Sequence, residues 1–272
     1  PIIRSANHIG QASMRTKFSG ICEALLEAGW LLALVIVPLY FDVYSSRVFE
    51  PDKLALLRTI ATLMALVGVL KWADEYAARR RAGVPVAADS RPTWRSATAI
   101  AACAYAVVYL LATALSVVPR TSMWGSYQRL QGAYSTLSYL VIFALLLTNL
   151  RRREQLRRLL DVAILASLPV ALYGILQHYR LDPLPWGGDT TFRVASTLGN
   201  PIFAAAYLIM VIPLSAGSVV RLLRHGLVAT DGRARWLMNA GAAMSLVILL
   251  AAWTFLGLGG GLLAGLLCLV LL

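Results

Sequence analysis

The amino-acid sequence predicts an all-α, polytopic transmembrane helix bundle, and three observations carry that prediction. Of 272 residues 59% are hydrophobic and 14% charged, whereas a soluble domain carries about 25% charged residues. The apolar residues fall in blocks that span a hydrocarbon core of ~30 Å when wound as helix at ~1.5 Å per residue, far longer than barrel strands. The links between the blocks alternate between arginine-rich and arginine-poor.

The blocks lie near residues 21–41, 53–72, 97–118, 133–150, 159–177, 199–216 and 237–255, and another begins near 258. About eight spans are therefore expected, in a single transmembrane domain over 1–272. The first block is too long for a signal-peptide core and lacks a small-residue cleavage site, so it stays as an anchor. Pro38, Pro169 and Pro213 fall inside spans, where neighbouring groups satisfy the carbonyls they free. The chain begins at Pro1 and ends at Leu272 inside an apolar run, and is expected to be the N-terminal portion of a longer protein.

The links at 73–96, 151–158 and 217–236 are rich in arginine, and those at 42–52, 119–132 and 178–198 are not. By the positive-inside rule the N-terminus and the segments Arg79–Arg81, Arg151–Arg153 and Arg221–Arg235 face the cytoplasm. The net charge of +12 thus describes topology and not nucleic-acid binding. Tyr40, Tyr44, Trp124, Tyr127, Tyr134, Tyr179 and Trp186 fall near the outward links, as interfacial anchors.

Cys22, Cys103 and Cys268 show no CxxC or Cys/His spacing, so neither a metal nor a disulfide is expected. No phosphate-binding glycine loop, HExxH or nucleophile elbow occurs. Glu23 and Glu27 lie four apart near the cytoplasmic end of the first span, and are read as snorkelling or paired with a cation such as Lys17.

Chemistry is sought at the arginines that stay outward against the bias: Arg47, Arg58, Arg120, Arg129, Arg180 and Arg193. A guanidinium fork suits phosphate, and several forks with water partly excluded suit a pyrophosphate at the headgroup level. Arg129 and Arg193 have the strongest context. Gly125 to Gly132 places Arg129 among Tyr127 and Gln128 between glycines that permit close backbone approach. Arg193 precedes Ser196, Thr197 and a Gly199-Asn200-Pro201 helix entry, where free amides favour anions, although Asn200 also suits an N-cap. Arg47, Arg120 and Arg180 are weaker candidates, as is His178, a possible base or a solvated interfacial ring.

Four stretches carry a resemblance: Ser46-Arg47-Val48-Phe49-Glu50-Pro51-Asp52-Lys53, Gly125 to Gly132 followed by Tyr134, Tyr173-Gly174-Ile175-Leu176-Gln177 with Asp182-Pro183, and Arg193 through Asn200-Pro201. In these the chain resembles the O-antigen ligase and polymerase family of bacterial envelope enzymes. The resemblance implies a GT-C-like bundle of roughly a dozen helices in the bacterial cytoplasmic (inner) membrane. It implies transfer of a glycan from an undecaprenyl pyrophosphate carrier to an acceptor lipid, glycan or protein on the outer face, without a cofactor. Arg129 and Arg193 would bind the pyrophosphate, with Tyr127, Gln128 and Asn200 lining the site. The catalytic base of the family lies in a loop expected beyond residue 272. The turn that usually reads Ser-Arg-Gly is here Leu256-Gly257-Leu258-Gly259-Gly260-Gly261, without arginine. A glycan polymerase on the same carrier, and a non-catalytic membrane subunit or lipid-linked glycan transporter, stand as alternatives.

Overall fold

The computed structural model describes residues 16–42, 50–83, 96–184 and 194–225. The elements among them are α1 Lys17–Leu39, α2 Glu50–Arg81, α3 Ala97–Ala114, α4 Pro119–Trp124, α5 Ala133–Asn149, α6 Arg153–His178 and α7 Pro201–His225, with a 3₁₀ turn at Ser196–Leu198. No strand occurs among the described residues. Helices α1, α2, α3 and α6, and α7 over Pro201–Val220, are long and apolar enough to cross a membrane, and α5 is a shorter apolar helix. The expected spans at 237–255 and from 258 lie outside the described residues.

Two helices outrun their apolar blocks. α2 continues to Arg81 through Ala, Glu and Arg, which are good helix formers wherever the chain is. α6 begins at Arg153 within a link expected from 151. The link expected at 119–132 contains α4, which starts with Pro119 at its first position, where the missing N–H costs nothing.

Backbone contacts divide the chain into two compact units, Pro1–Ala33 with Leu54–Gln155, and Leu34–Lys53 with Leu156–Leu272. In the first unit side-chain contacts fix which helix ends lie together. Lys71 of α2 donates to Glu23 of α1 at 3.0 Å and to Asn149 of α5 at 2.6 Å, and stands 3.7 Å from Glu75. Gln155 donates to Glu27 at 3.1 Å and accepts from the amides of Arg151 and Arg152, closing the entry to α6 as in a capping box. Thr16 donates to Asp74 and accepts from the Ser19 amide as the N-cap of α1. The start of α1, the last turns of α2 and α5 and the start of α6 thus share one end, beside Arg79–Arg81 and Arg151–Arg153. Lys71 partners Glu23 and Gln155 partners Glu27. The antiparallel run of α2 brings Lys71 back to α1, a pairing that sequence proximity did not indicate.

The second unit packs α6 against α7 through Ile164, Ala171, Leu208, Val211 and Ile212. Gly174 lets Val194 approach so closely that a Cβ there would lie 3.0 Å from its methyl. Gln177, 1% exposed, accepts from the Ser196 amide at 2.8 Å, and Ser196 donates to the Val170 carbonyl at 2.6 Å. These bonds hold the 3₁₀ turn on α6.

Within each unit polarity runs opposite to that of a soluble domain. Lys71, Ser167 and Gln177 are buried, while Val108 is 65% and Met210 64% exposed. In water such apolar exposure along every long helix would drive aggregation; in a bilayer it is solvated by lipid chains, and the polar groups must satisfy one another inside. The chain is a multi-pass membrane protein.

Candidate functional site

The strongest candidate site lies in the first unit, at the helix ends opposite Lys71 and Gln155. α4 and the loop Gly125–Gly132 cap these ends. The glycines have a structural purpose different from ligand approach. Gly125 takes φ 86°, and a Cβ on it would lie 2.4 Å from the Leu130 carbonyl carbon; one on Gly132 would lie 2.3 Å from the Gly125 amide nitrogen. The two glycines let the chain close on itself, so that a compact loop carries Tyr127, Gln128 and Arg129 outward. Inside it the amides of Arg129 and Leu130 donate to the Ser126 carbonyl at 3.1 and 2.8 Å. Leu130 then turns through φ 50°, a left-handed conformation that costs an L-residue roughly 1–2 kcal/mol.

Arg129 lines a cleft of about 460 Å³ together with Tyr109, Ala112, Thr113, Thr121, Ser122, Ser126 and Gln131. Five hydroxyl side chains, one amide and one cation thus project from this lining, among apolar surface. Such a surface offers neutral hydrogen bonds and one charge-assisted fork to an anionic, polyhydroxylated ligand. Tyr127 stands at the loop tip, 82% exposed, and Gln128 beside it is also exposed. Neither lines the cleft, so of the trio Arg129 alone meets it.

No family model, curated protein or solved structure matches this chain. Geometry alone assigns the remaining candidates. Asn200 belongs to the second unit. Its side-chain oxygen accepts from the Ile202 amide at 2.9 Å and its carbonyl from Ala204 at 3.0 Å; with Pro201 following, it is the N-cap of α7. Arg180 ends α6 with φ 57°. Its amide donates to the Gln177 carbonyl and that of Leu181 to the Leu176 carbonyl, the Schellman pattern that usually employs glycine. His178, in the last turn of α6, packs edge-on against Tyr179 with centroids 5.1 Å apart. Arg120 is exposed on α4. Arg47 and Arg193 lie outside the described residues.

Two buried cations have structural roles, and one of them, Arg58, stands among the arginines considered as anion contacts; its donors go instead to main chain and to Ser135. Arg58, 8% exposed, donates from Nε to Ser135 Oγ at 2.9 Å and from Nη2 to the carbonyls of Trp124 at 2.8 Å and Leu130 at 2.5 Å. Its guanidinium lies 4.8 Å from the centroid of Tyr134, and Tyr134 meets Trp124 edge-on. In the second unit Lys53, also 8% exposed, donates to the carbonyls of Pro38 at 2.9 Å and Thr197 at 2.7 Å, while Thr197 Oγ1 donates to the same Pro38 carbonyl. The end of α1 thereby receives donors for a carbonyl that its own helix leaves unbonded. The available signal was a cation inside an apolar span, which marks a specific partner or a functional site.

Among the described residues no group of three His, Cys, Asp or Glu is arranged to hold a metal. Cys22 and Cys103 are free thiols.

Proposed function

We propose that this chain is part of a multi-pass glycosyltransferase of the O-antigen ligase type, with its N-terminus in the cytoplasm of a bacterium and its cleft on the outer face of the inner membrane. It takes a glycan from an undecaprenyl pyrophosphate carrier and passes it to a hydroxyl or amine of an acceptor. The observation that carries this reading is Arg129 in a hydroxyl-lined cleft, at the helix ends away from the basic links. Cleavage of the glycosyl–phosphate bond leaves negative charge on the departing pyrophosphate. A fixed guanidinium stabilises that charge as it grows, and does so more strongly where water is partly excluded. The acceptor's attack is assisted by a base in this reading. The GT-C-like bundle with further spans is part of the same proposal.

Transfer of glycan from an undecaprenyl pyrophosphate donor by the full-length protein tests it. Arg129→Ala at matched membrane levels is expected to lower kcat by roughly 10²-fold, as for loss of one charge-stabilising donor. Unchanged transfer overturns the role of Arg129. Absence of transfer by the unaltered protein favours the second reading, a non-catalytic subunit or glycan transporter, which the arginine-free stretch Leu256–Gly261 supports.

A further inference from the structure

Arg129 sits on a loop with its own tether. The Leu130 carbonyl, one residue on, accepts from Arg58 Nη2, from Ser135 Oγ at 2.7 Å and from the Gly132 amide at 3.1 Å. The Trp124 carbonyl, at the other end of the loop, accepts from the same Nη2. One buried guanidinium therefore holds both ends of the loop, and through Ser135 it reaches the first turn of α5 as well. No carboxylate among the described residues shares this arginine, and its donations go to the loop and to α5.

A planar fork is the group suited to this arrangement. Nε and Nη2 point in fixed directions from one plane, so that three acceptors on different segments are registered against each other, while the face of the plane rests on Tyr134. A lysine supplies equal charge but a single donor centre without that geometry. The left-handed turn at Leu130, unfavourable for leucine, needs an external restraint, and the Arg58–Leu130 bond supplies one where the backbone is strained.

We propose that Arg58 is the positioning residue of the cleft: it touches no substrate, and it fixes the loop so that Arg129 meets the phosphates of the donor. This rests on the reading of Arg129 as a pyrophosphate contact, and the test separates the two. Full-length protein in nanodiscs carries a trifluoromethyl-phenylalanine in place of Tyr127, at the loop tip, read by 19F NMR. The unaltered loop is expected to give one line, Arg58→Lys several or an exchange-broadened one, and Ser135→Ala, which removes one acceptor of Arg58 and one donor to Leu130 but leaves both Nη2 bonds, an intermediate broadening. Ser135→Ala keeps the test open should Arg58→Lys fail to fold. In transfer kinetics without the probe, Arg58→Lys should lower kcat/KM for the donor roughly 10²-fold, the order expected from a misplacement of about 1 Å. In an Arg129→Ala background the same change should cost less than about twofold, because its effect passes through the missing side chain.

An unchanged 19F line in both variants overturns the proposal, and so do losses that simply multiply in the double variant. A disordered loop with transfer unaffected by Arg129→Ala leaves the loop tether standing and removes the pyrophosphate reading alone.

Discussion

The ammonium of Lys53 donates to the carbonyl of Pro38 at 2.9 Å, and the same carbonyl takes the Thr197 hydroxyl at 2.9 Å. A lysine buried at the end of an apolar helix with main-chain partners gains from the negative end of α1's dipole as well as from the two bonds. Replacing it with methionine keeps most of the volume and leaves the Thr197 carbonyl without this donor. Lys53→Met is expected to lower unfolding stability in detergent by about 1.5–3 kcal/mol, the range for hydrogen bonds to a charged group. Equal stability in denaturant titration would argue that the bonds are incidental.

Lys71 faces two carboxylates. Its side chain is 6% exposed, with Glu23 at 3.0 Å and Glu75 at 3.7 Å. Removing the cation alone leaves Glu23, half-buried at 19% exposure, without this partner, at a cost of about 1–3 kcal/mol. Lys71→Met is expected to be markedly less harmful when Glu23→Gln accompanies it, and a double-mutant cycle in chemical unfolding measures the difference. Additive losses would show that the two groups do not interact.

Gly132→Ala puts a methyl 2.3 Å from the Gly125 amide nitrogen and 2.6 Å from the Met123 carbonyl oxygen. Main chain on both sides cannot yield as a flexible side chain does. The variant is expected to open the loop, seen as new proteolytic cleavage between 124 and 133, while the helices keep their circular dichroism. Uncut loop in that variant would refute the self-closure described for the two glycines.

Arg180 carries the reverse case, a non-glycine residue where glycine fits better. Arg180→Gly is expected to raise stability by roughly 1 kcal/mol, because only the left-handed strain is removed. Transfer should persist, since the arginine's position follows from ending α6. Loss of transfer at unchanged stability would return Arg180 to the anion-binding set.

Much of the fold was legible because lipid imposes a single requirement, apolar length, and the blocks at 21–41 and 159–177 display it directly. The helix ends were less legible: α2 runs on to Arg81 because Ala, Glu and Arg favour helix in water as apolar residues do in lipid. At the site, the cation and its loop were readable, and the purpose of the glycines was not. Gly125 and Gly132 signal close approach, but only the folded loop reveals that backbone approaches backbone. The partners of Arg58 and Lys53 are likewise beyond sequence, since Leu130 lies 72 positions and Thr197 144 positions away, and main-chain carbonyls leave no trace in residue identity.

Whether Arg129 holds a pyrophosphate is read without turnover from the affinity of the full-length protein in nanodiscs for undecaprenyl pyrophosphate. A 31P NMR titration of the unaltered, Arg129→Lys and Arg129→Ala forms gives it. A pyrophosphate contact at Arg129 requires at least a tenfold weakening in Arg129→Ala, about 1.4 kcal/mol, with partial recovery in Arg129→Lys, which restores charge but not the fork. Equal affinity in all three forms would contradict that contact.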